Sequence, residues 1–361
     1  MTVTIEKIRE KLKSEEYDFL RREKSLGNRV ILLALGGSHA YGTEQETSDL
    51  DVRGVALNAK EEILLGTDFD QIVDIRTDTT VYSFNKMIRL LTSNNPNTLE
   101  ILGCKPEHYL YLSETGRKLC ENRKMFLSRV CIHTFGGYAQ AQLRRMENAA
   151  ARLVGQAEKE AYILKSIQNA AYDFKNRYYP HEEGDIRLYI DRAVQKGYDS
   201  EIFMDLHLQH YPLRDWAGMW NEMKAIVGSY NKNSTRNEKA VSHGKLGKHC
   251  AHLLRLYMMC IDILEKEEII TYREAEHDLL MRVRNGEFLD ENRQPTPEFY
   301  DLVNEYEKRF EYAKENTSLP GEPDYNKIRQ FQMEVNERIV KGEICCQKSR
   351  NGHRGKYFFK K

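Results

Sequence analysis

A glycine-rich turn near the start of the chain has the residue types that could bind phosphate. It reads Gly36-Gly37-Ser38 and ends an apolar run that finishes at Leu35. Because glycine has no Cβ, a backbone turn of this kind can approach a ligand closely and present its N–H groups. The Ser38 hydroxyl adds a further donor. We therefore expect this turn, with Gly37 and Ser38, to be able to hold phosphate oxygens, although a plain strand terminator has the same pattern.

Two aspartates that follow the turn could bind a metal. Asp49 and Asp51 lie two apart at the start of a predicted strand that runs to Leu57. Alternate residues of a strand share one face, so the two carboxylates are expected to project together. Adjacent carboxylates repel each other unless a cation lies between them, and oxygen ligands favour Mg²⁺ or Mn²⁺. The pair predicts a divalent metal site, and solvated residues at a strand edge are the alternative.

The spacing of these groups resembles a known superfamily. Gly37-Ser38, ten residues and then Asp49-x-Asp51 is similar to the DNA polymerase beta-like nucleotidyltransferases. The longer segments 37–42 (GSHAYG) and 48–54 (SDLDVRG) resemble the predicted bacterial and phage nucleotidyltransferases that include the RNA repair pathway-linked group. Further similar blocks extend the resemblance to about Val340. They are Asp78 to Tyr82, Lys86, Asn95 to Glu100, and Lys248 to Leu256.

This resemblance implies transfer of a nucleoside monophosphate from a nucleoside triphosphate (NTP) to an acceptor hydroxyl, with release of pyrophosphate. Asp49 and Asp51 would bridge two Mg²⁺ or Mn²⁺ ions. Asp74 and Asp78 share a face of a third predicted strand, and we expect Asp78 to complete the site because it precedes Tyr82 as in the family. An RNA end is one expected acceptor. The sequence does not choose between RNA, tRNA, a protein and a small molecule, or between the NTPs.

Other polar residues are expected to support the same site. Lys248, His252 and Arg255 recur at i, i+4 and i+7 of a predicted helix, where they would form one stripe facing the triphosphate or the acceptor backbone. His39 follows the glycine turn and would either donate to a phosphate or be exposed. Arg53 shares the predicted strand face of Asp51, where it could pair with a carboxylate or neutralise phosphate.

The elements that must position these residues change character along the chain. An amphipathic helix is predicted over 2–26, strands over 28–35, 50–57 and 72–84, and a helix over 85–94. Helical periodicity then predominates. The later predicted helices are 125–153, 158–177, 185–195, 213–230, 235–264, 296–316 and 325–340. We expect an α+β protein with a small mixed β-sheet nucleotidyltransferase domain at 1–112, an all-α domain at 113–340 and a basic tail at 341–361.

Composition narrows the cellular setting and the partners. The 55 Lys and Arg balance the 55 Asp and Glu, so little outside the tail favours a polynucleotide. The longest apolar run is too short to span a membrane, no signal peptide is evident, and seven scattered cysteines indicate a reducing compartment. We expect a soluble cytoplasmic protein of undetermined oligomeric state. The rival interpretation is a non-catalytic nucleotide- or RNA-binding regulator, or an antitoxin-like partner, on the same fold.

Overall fold

The computed structural model of the protein describes residues 4–45, 48–151, 184–192, 194, 200–208, 210–231, 246–291 and 294–344. These residues divide into two compact units. The first takes its residues from Met1–Ala139, Ala251–Phe288 and Pro297–Lys361, and the second from Gln140–Cys250 and Leu289–Thr296. The border predicted between residues 112 and 113 stays a prediction.

A five-stranded mixed sheet lies in the first unit. Its strands are β1 (Val30–Leu35), β2 (Val52–Ala56), β3 (Gln71–Asp74), β4 (Thr79–Ser83) and β5 (Tyr109–Leu112). Their order is β3-β4-β2-β1-β5, with β2 parallel to β4 and the other neighbours antiparallel. All six residues of β1 are apolar and buried, as expected for a strand inside a sheet that is covered on both faces. The predicted α+β class and small mixed sheet are confirmed.

Seven helices alternate with these strands. They are α1 (Ile5–Lys11), α2 (Phe19–Arg22), α3 (Gly37–Tyr41), α4 (Lys60–Leu65), α5 (Phe84–Thr92), α6 (Pro96–Leu102) and α7 (Glu114–Glu121). Local capping defines where several of them begin. The Ser83 hydroxyl accepts from Lys86 N at the start of α5, and the Asn95 side chain accepts from Asn97 N before Pro96 opens α6.

The prediction of one helix over 2–26 is wrong. α1 ends at Lys11, and α2 begins only at Phe19. The Arg21 side chain donates to the carbonyl oxygens of Leu12 at 2.7 Å and Ser14 at 2.9 Å, so it stabilises the connection between the two helices. Two short helices therefore replace the continuous amphipathic helix.

The single strand predicted over 72–84 is also wrong, because a turn divides it into β3 and β4. The Asp74 carboxylate accepts hydrogen bonds from Thr77 N at 3.0 Å and from Thr77 Oγ1 at 3.1 Å. Asp78 has a φ of 44°, in the left-handed region that suits a turn. Asp74 is the last residue of β3 and Asp78 lies in the turn before β4, so the two do not share the face of one strand.

The later helices are α8 (Val130–Ala151), α9 (Leu213–Asn231), α10 (Leu246–Lys266), α11 (His277–Arg284), α12 (Pro297–Asn316) and α13 (Tyr325–Lys341). The predicted helices over 213–230, 296–316 and 325–340 are confirmed almost to the residue. α8 begins five residues later than predicted. Within the described part of the chain, no helix has the length and apolarity needed to cross a membrane.

The helix predicted over 185–195 is wrong. In the second unit, β6 (Gly184–Arg192) pairs antiparallel with β7 (Ser200–Leu208) over nine residue pairs. Alternate apolar residues of the two strands lie opposite each other, as in Ile186 with Leu206 and Leu188 with Met204. The part predicted to be all-α therefore contains a two-stranded sheet. The predicted helix over 158–177, residues 235–245 of another and most of the basic tail (345–361) lie outside the described residues.

Candidate active site

The glycine turn closes tightly around the carboxylate of Asp51. Gly36 N donates to the Asp51 carbonyl oxygen at 2.8 Å, which ties the turn after β1 to the start of β2. A Cβ on Gly36 would lie 2.6 Å from Asp51 Oδ1, and one on Gly37 would lie 2.9 Å from Asp51 Oδ2. Gly37 also has a φ of 53°. Glycine is therefore required at both positions for the carboxylate to lie against this turn.

Asp51 and Asp78 are brought together by parallel pairing of two strands. Each directly precedes its strand, and the first paired residues of these strands are Val52 and Thr79. Val52 N donates to the Asp78 carbonyl oxygen at 3.2 Å. The two aspartates therefore stand side by side at one end of the paired strands.

Arg53 links these two carboxylates. Its Nη2 lies 3.0 Å from both carboxylate oxygens of Asp51, and its Nη1 lies 3.6 Å from Asp78 Oδ1. Nη1 also donates to the Asp78 carbonyl oxygen and to Thr80 Oγ1, each at 3.2 Å. The guanidinium thus supplies the positive charge that the paired acids need. Of the two alternatives for Arg53, the structure shows the carboxylate pair.

Asp49 is placed differently from its predicted position. The strand starts at Val52, so Asp49 lies in the segment before it and its side chain is exposed. Among the residues that the structure describes, no group of three or more His, Cys, Asp or Glu side chains is arranged to hold a metal ion. The structure therefore associates Asp51 with Asp78 and does not gather all three predicted carboxylates.

The chemistry of the donor set still fits a divalent cation at two of the three positions. The carboxylates of Asp51 and Asp78 converge on one cationic group, Arg53, and the glycine turn leaves Asp51 in the crease beside it. Carboxylate oxygens are the ligands that Mg²⁺ and Mn²⁺ prefer. A metal ion bound there would compete with the guanidinium for Asp51.

Ser38 and His39 are both buried in α3, so the exposed alternative for His39 does not occur. Burial lowers the pKa of His39, and the Arg284 charge lowers it further, while Glu44 and a hydrogen bond with the Ser48 backbone oppose the change. His39 is therefore held in its neutral form around pH 7. A neutral imidazole keeps one N–H donor.

A buried polar network contacts α3 through Tyr41. The Tyr41 hydroxyl donates to Glu100 Oε2 at 2.8 Å, and the Arg255 guanidinium lies 3.4 Å from the centre of the Tyr41 ring. Burial raises the pKa of the Glu100 carboxyl, while the Arg255 charge opposes that rise. From the sequence, Glu100 was placed in a block that resembles the family and was given no role of its own. A signal was available, because it lies in α6 among buried Leu99 and Ile101.

The predicted cationic stripe of α10 differs in burial along its length. Lys248 is exposed, His252 is half-buried and Arg255 is 9% exposed. Arg255 Nη2 lies 3.2 Å from His252 Nδ1, while its Nε is buried with no hydrogen-bond partner among the described residues. The binding of a triphosphate by these three residues stays a prediction.

Comparison with known protein families gives a match over residues 8–172, to a family described as the RNA repair pathway DNA polymerase beta family. The matched range contains the glycine turn, Asp49, Asp51 and Asp78. The resemblance to DNA polymerase beta-like nucleotidyltransferases is thereby confirmed for this part of the chain. No curated protein and no solved structure matches it. Lys248, His252 and Arg255 lie outside the matched range.

Proposed function

We propose that this chain is a metal-dependent nucleotidyltransferase that transfers a nucleoside monophosphate from an NTP to an acceptor hydroxyl, with an RNA end as the acceptor. The observation that carries the proposal is the close fit of Asp51 against Gly36 and Gly37, within the range that matches the family. A glycine turn alone or an acidic residue alone would be unremarkable. Their contact supports a site in which phosphate and cation lie side by side.

Residues of the turn would bind the nucleotide. Gly37 and Ser38 would hold the β- and γ-phosphates through their backbone N–H groups and the Ser38 hydroxyl. His39, kept neutral by burial, would add a donor without a charge. Arg53 lies next to the same turn, and on release from Asp51 its guanidinium could pair with a phosphate instead.

The carboxylates would hold the metal. Asp51 and Asp78 supply oxygen ligands that already face a common cation, and exposed Asp49 would be the third. Bound Mg²⁺ or Mn²⁺ would supply the positive charge that stabilises the attacking and leaving oxygens of phosphoryl transfer. The side chain of Asp78 is 59% exposed, so an acceptor arriving from solvent can reach it.

The proposed reaction conserves every atom. The acceptor oxygen forms a bond to the α-phosphorus, and the bond from that phosphorus to the oxygen bridging to the β-phosphate breaks. Pyrophosphate leaves with the bonding electrons, and the acceptor proton passes to the Asp78 carboxylate and then to water. Lys248 and His252 would hold the triphosphate or the acceptor backbone. The burial of Arg255 against Tyr41 supports an indirect part for Arg255, through the position of α3.

A second candidate function rests on the pairing of Arg53. Because its guanidinium already compensates Asp51 and Asp78, the same fold could be stable without a metal. The chain would then be a non-catalytic nucleotide- or RNA-binding regulator. Such a protein would bind NTP but transfer nothing, which separates it from an enzyme experimentally.

A labelling experiment with matched variants tests the proposal. The protein is incubated with each α-labelled NTP, Mg²⁺ and cellular RNA or protein, and the labelled fraction is identified. We expect labelled RNA, and a loss of at least ~10²-fold in Asp51→Asn and Asp78→Asn. Asp70→Asn is the matched control, because the Asp70 side chain is 62% exposed and pairs with Lys86. NTP binding without label transfer would favour the regulator, and labelled protein would change the acceptor.

We also propose that the protein acts in the cytoplasm. The five cysteines in the described residues are all free. Free buried thiols are typical of a reducing compartment. Fractionation of cells that produce the protein, followed by immunoblotting, would test this location.

A further inference from the structure

Helix α11 and the residue that follows it form hydrogen bonds with the segment that links the glycine turn to Asp49. His277 Nε2 lies 2.9 Å from the Gly42 carbonyl oxygen, next to the end of α3. At the other end of the segment, Arg284 Nη2 donates to Ser48 Oγ at 3.1 Å. Between these two contacts, Gln45 Nε2 donates to Asn285 Oδ1 at 2.8 Å. The segment is therefore held at its start and at its end by one short helix.

The start of this segment is also fixed by Tyr272. A Cβ on Gly42 would lie 2.2 Å from the Tyr272 ring, and Gly42 has a φ of 71°. The Tyr272 ring has two further contacts. Lys105 Nζ lies 3.5 Å from the centre of the ring, and the His108 ring packs against it edge-on with 5.8 Å between the ring centres. The tyrosine is thus held in one orientation against Gly42.

The half-buried position of Arg284 beside this segment is electrostatically unfavourable. Burial and the nearby charge of Arg255 lower the pKa of Arg284, and Glu44 only partly offsets them. Its Nε is buried with no hydrogen-bond partner among the described residues. A lysine or arginine that only covers apolar surface keeps its charged group in water. The guanidinium of Arg284 is instead partly removed from water, and in this position it donates to Ser48.

We infer that His277 and Arg284 are positioning residues, which fix the Asp49 end of the segment relative to the glycine turn. This inference rests on the proposed function, because Asp49 acts there as a metal ligand. Ser48 directly precedes Asp49, so a shift of Ser48 moves the Asp49 carboxylate with it. Hydrogen bonds fix direction as well as distance, and misplacement of a catalytic group by about 1 Å can cost 10²-fold in rate. Both positioning residues lie outside the range that matches the family.

Variants of Arg284 with a control on the same helix test the inference. Arg282→Ala is the matched control, because Arg282 is exposed and pairs with Glu287 at 2.7 Å. We expect Arg284→Ala to lower kcat at least ~10-fold and to raise the Mg²⁺ concentration for half-maximal rate. The KM for NTP should stay within about twofold, because the glycine turn is intact. Arg284→Lys should restore part of kcat, and Arg282→Ala should behave as wild type.

Ser48→Ala provides a second variant, which removes the hydroxyl that accepts from Arg284 and also from Gln45 N at 2.8 Å. In a protein that already carries Ser48→Ala, Arg284→Ala should lower kcat much less than it does in wild type, because the hydrogen bond between the two residues is already absent. Additive losses would overturn the inference. So would a lower melting temperature for Arg284→Ala with kcat and its Mg²⁺ dependence unchanged, since that result indicates a purely structural role.

Hydrogen–deuterium exchange separates this inference from the proposed function. Peptides that contain Gly42, Gln45 and Asp49 should exchange faster in Arg284→Ala than in wild type or Arg282→Ala. Equal exchange in all three proteins would show that Arg284 does not hold this segment, whatever the activity. If exchange is faster in Arg284→Ala but the wild-type protein transfers no nucleotide, Arg284 holds the segment and the proposed function is wrong.

Discussion

Arg53 Nη2 lies 3.0 Å from each carboxylate oxygen of Asp51, in the crease where a catalytic cation would be expected. The same guanidinium reaches Asp78, with its Nη1 3.6 Å from Oδ1. Two acids that would otherwise repel each other are therefore compensated by an internal cation. A metal ion that binds Asp51 must compete with Arg53, so this arginine should set how strongly the metal stabilises the fold.

Substitution of Arg53 should reveal this competition. Arg53→Gln removes the charge and should lower the melting temperature without metal, because Asp51 and Asp78 then repel each other. Mg²⁺ should raise the melting temperature of this variant by roughly 2 °C more than that of wild type, which corresponds to about 1 kcal/mol of additional stabilisation. Thermal unfolding with and without Mg²⁺ measures the difference.

The matched control for Arg53 is Arg89→Gln. Arg89 also pairs with an aspartate, its Nη2 lying 3.1 Å from Asp70 Oδ1, but it lies away from the glycine turn on the exposed side of α5. Its response to Mg²⁺ should equal that of wild type. Equal responses of Arg53→Gln and wild type would show that Arg53 and the metal do not share a site.

Three glycine substitutions should separate backbone strain from crowding of Asp51. Gly66→Ala meets no atom within 4 Å, so it should cost only the ~1–2 kcal/mol of a left-handed alanine at φ 65°. Gly36→Ala has an ordinary φ of −116°, but its Cβ would collide with Asp51. Gly37→Ala combines both problems. Urea unfolding and nucleotide transfer should be measured for each variant.

For these variants the expected order differs between the two measurements. Gly66→Ala should keep wild-type transfer, whereas Gly36→Ala and Gly37→Ala should lose at least ~10²-fold because Asp51 is displaced. Gly37→Ala should also be the least stable. Wild-type transfer by Gly36→Ala would contradict the assignment of Asp51 to the site.

Burial of His39 should make stability depend on pH. The pKa of His39 is lowered in the folded protein from its ordinary value of 6.5, so the unfolded chain binds the proton more readily. The stabilising contribution is fully present above about pH 6.5 and is lost as the pH falls below it, by about 1.4 kcal/mol per pH unit until the folded pKa is reached. His39→Gln should therefore show a smaller loss of unfolding free energy between pH 7.5 and 5.5.

Urea unfolding at the two pH values measures this loss. His133→Gln is the control, because His133 is exposed on α8 and the substitution also removes one histidine. His108 is buried and its pKa is lowered in the same direction, so some pH dependence should remain in His39→Gln. A loss in His39→Gln as large as in wild type would contradict the burial argument.

Local patterns predicted much of the fold and part of the site. Strand β1, α5 and the long helices α9, α12 and α13 follow from apolar runs and helical periodicity alone. Gly37, Ser38, Asp51 and Asp78 were expected together, and the structure places Asp51 and Asp78 beside the turn. These are features in which neighbouring residues carry the information.

The errors arose where a distant or side-chain contact decides the structure. The Asp74 bond to Thr77 ends β3, and pairing with β7 makes a strand of Gly184–Arg192. Partners 59 and 236 residues apart, as in Tyr41 with Glu100 and Arg284 with Ser48, cannot be read from spacing. They depend on how the sheet and helices pack, so only the folded chain reveals the supports of the site.

Arg255 offers the sharpest test of whether a predicted phosphate contact is instead a structural support. Arg255→Ala should lower stability by ~3 kcal/mol, because it removes the charge that compensates the buried Glu100 carboxylate. Adding Glu100→Gln should recover part of this stability, since the amide oxygen can still accept from the Tyr41 hydroxyl. Urea unfolding of the single and double variants measures this recovery.

The double variant also allows NTP affinity to be measured on a well-folded protein. If Arg255 acts only through Tyr41 and Glu100, the affinity should return to within about threefold of wild type. A tenfold deficit that persists would instead establish a direct charge-assisted contact of Arg255 with phosphate. Lys248→Ala is the comparison on the same helix, because Lys248 is exposed. It should leave stability unchanged and raise the KM for NTP only if the predicted stripe reaches the nucleotide.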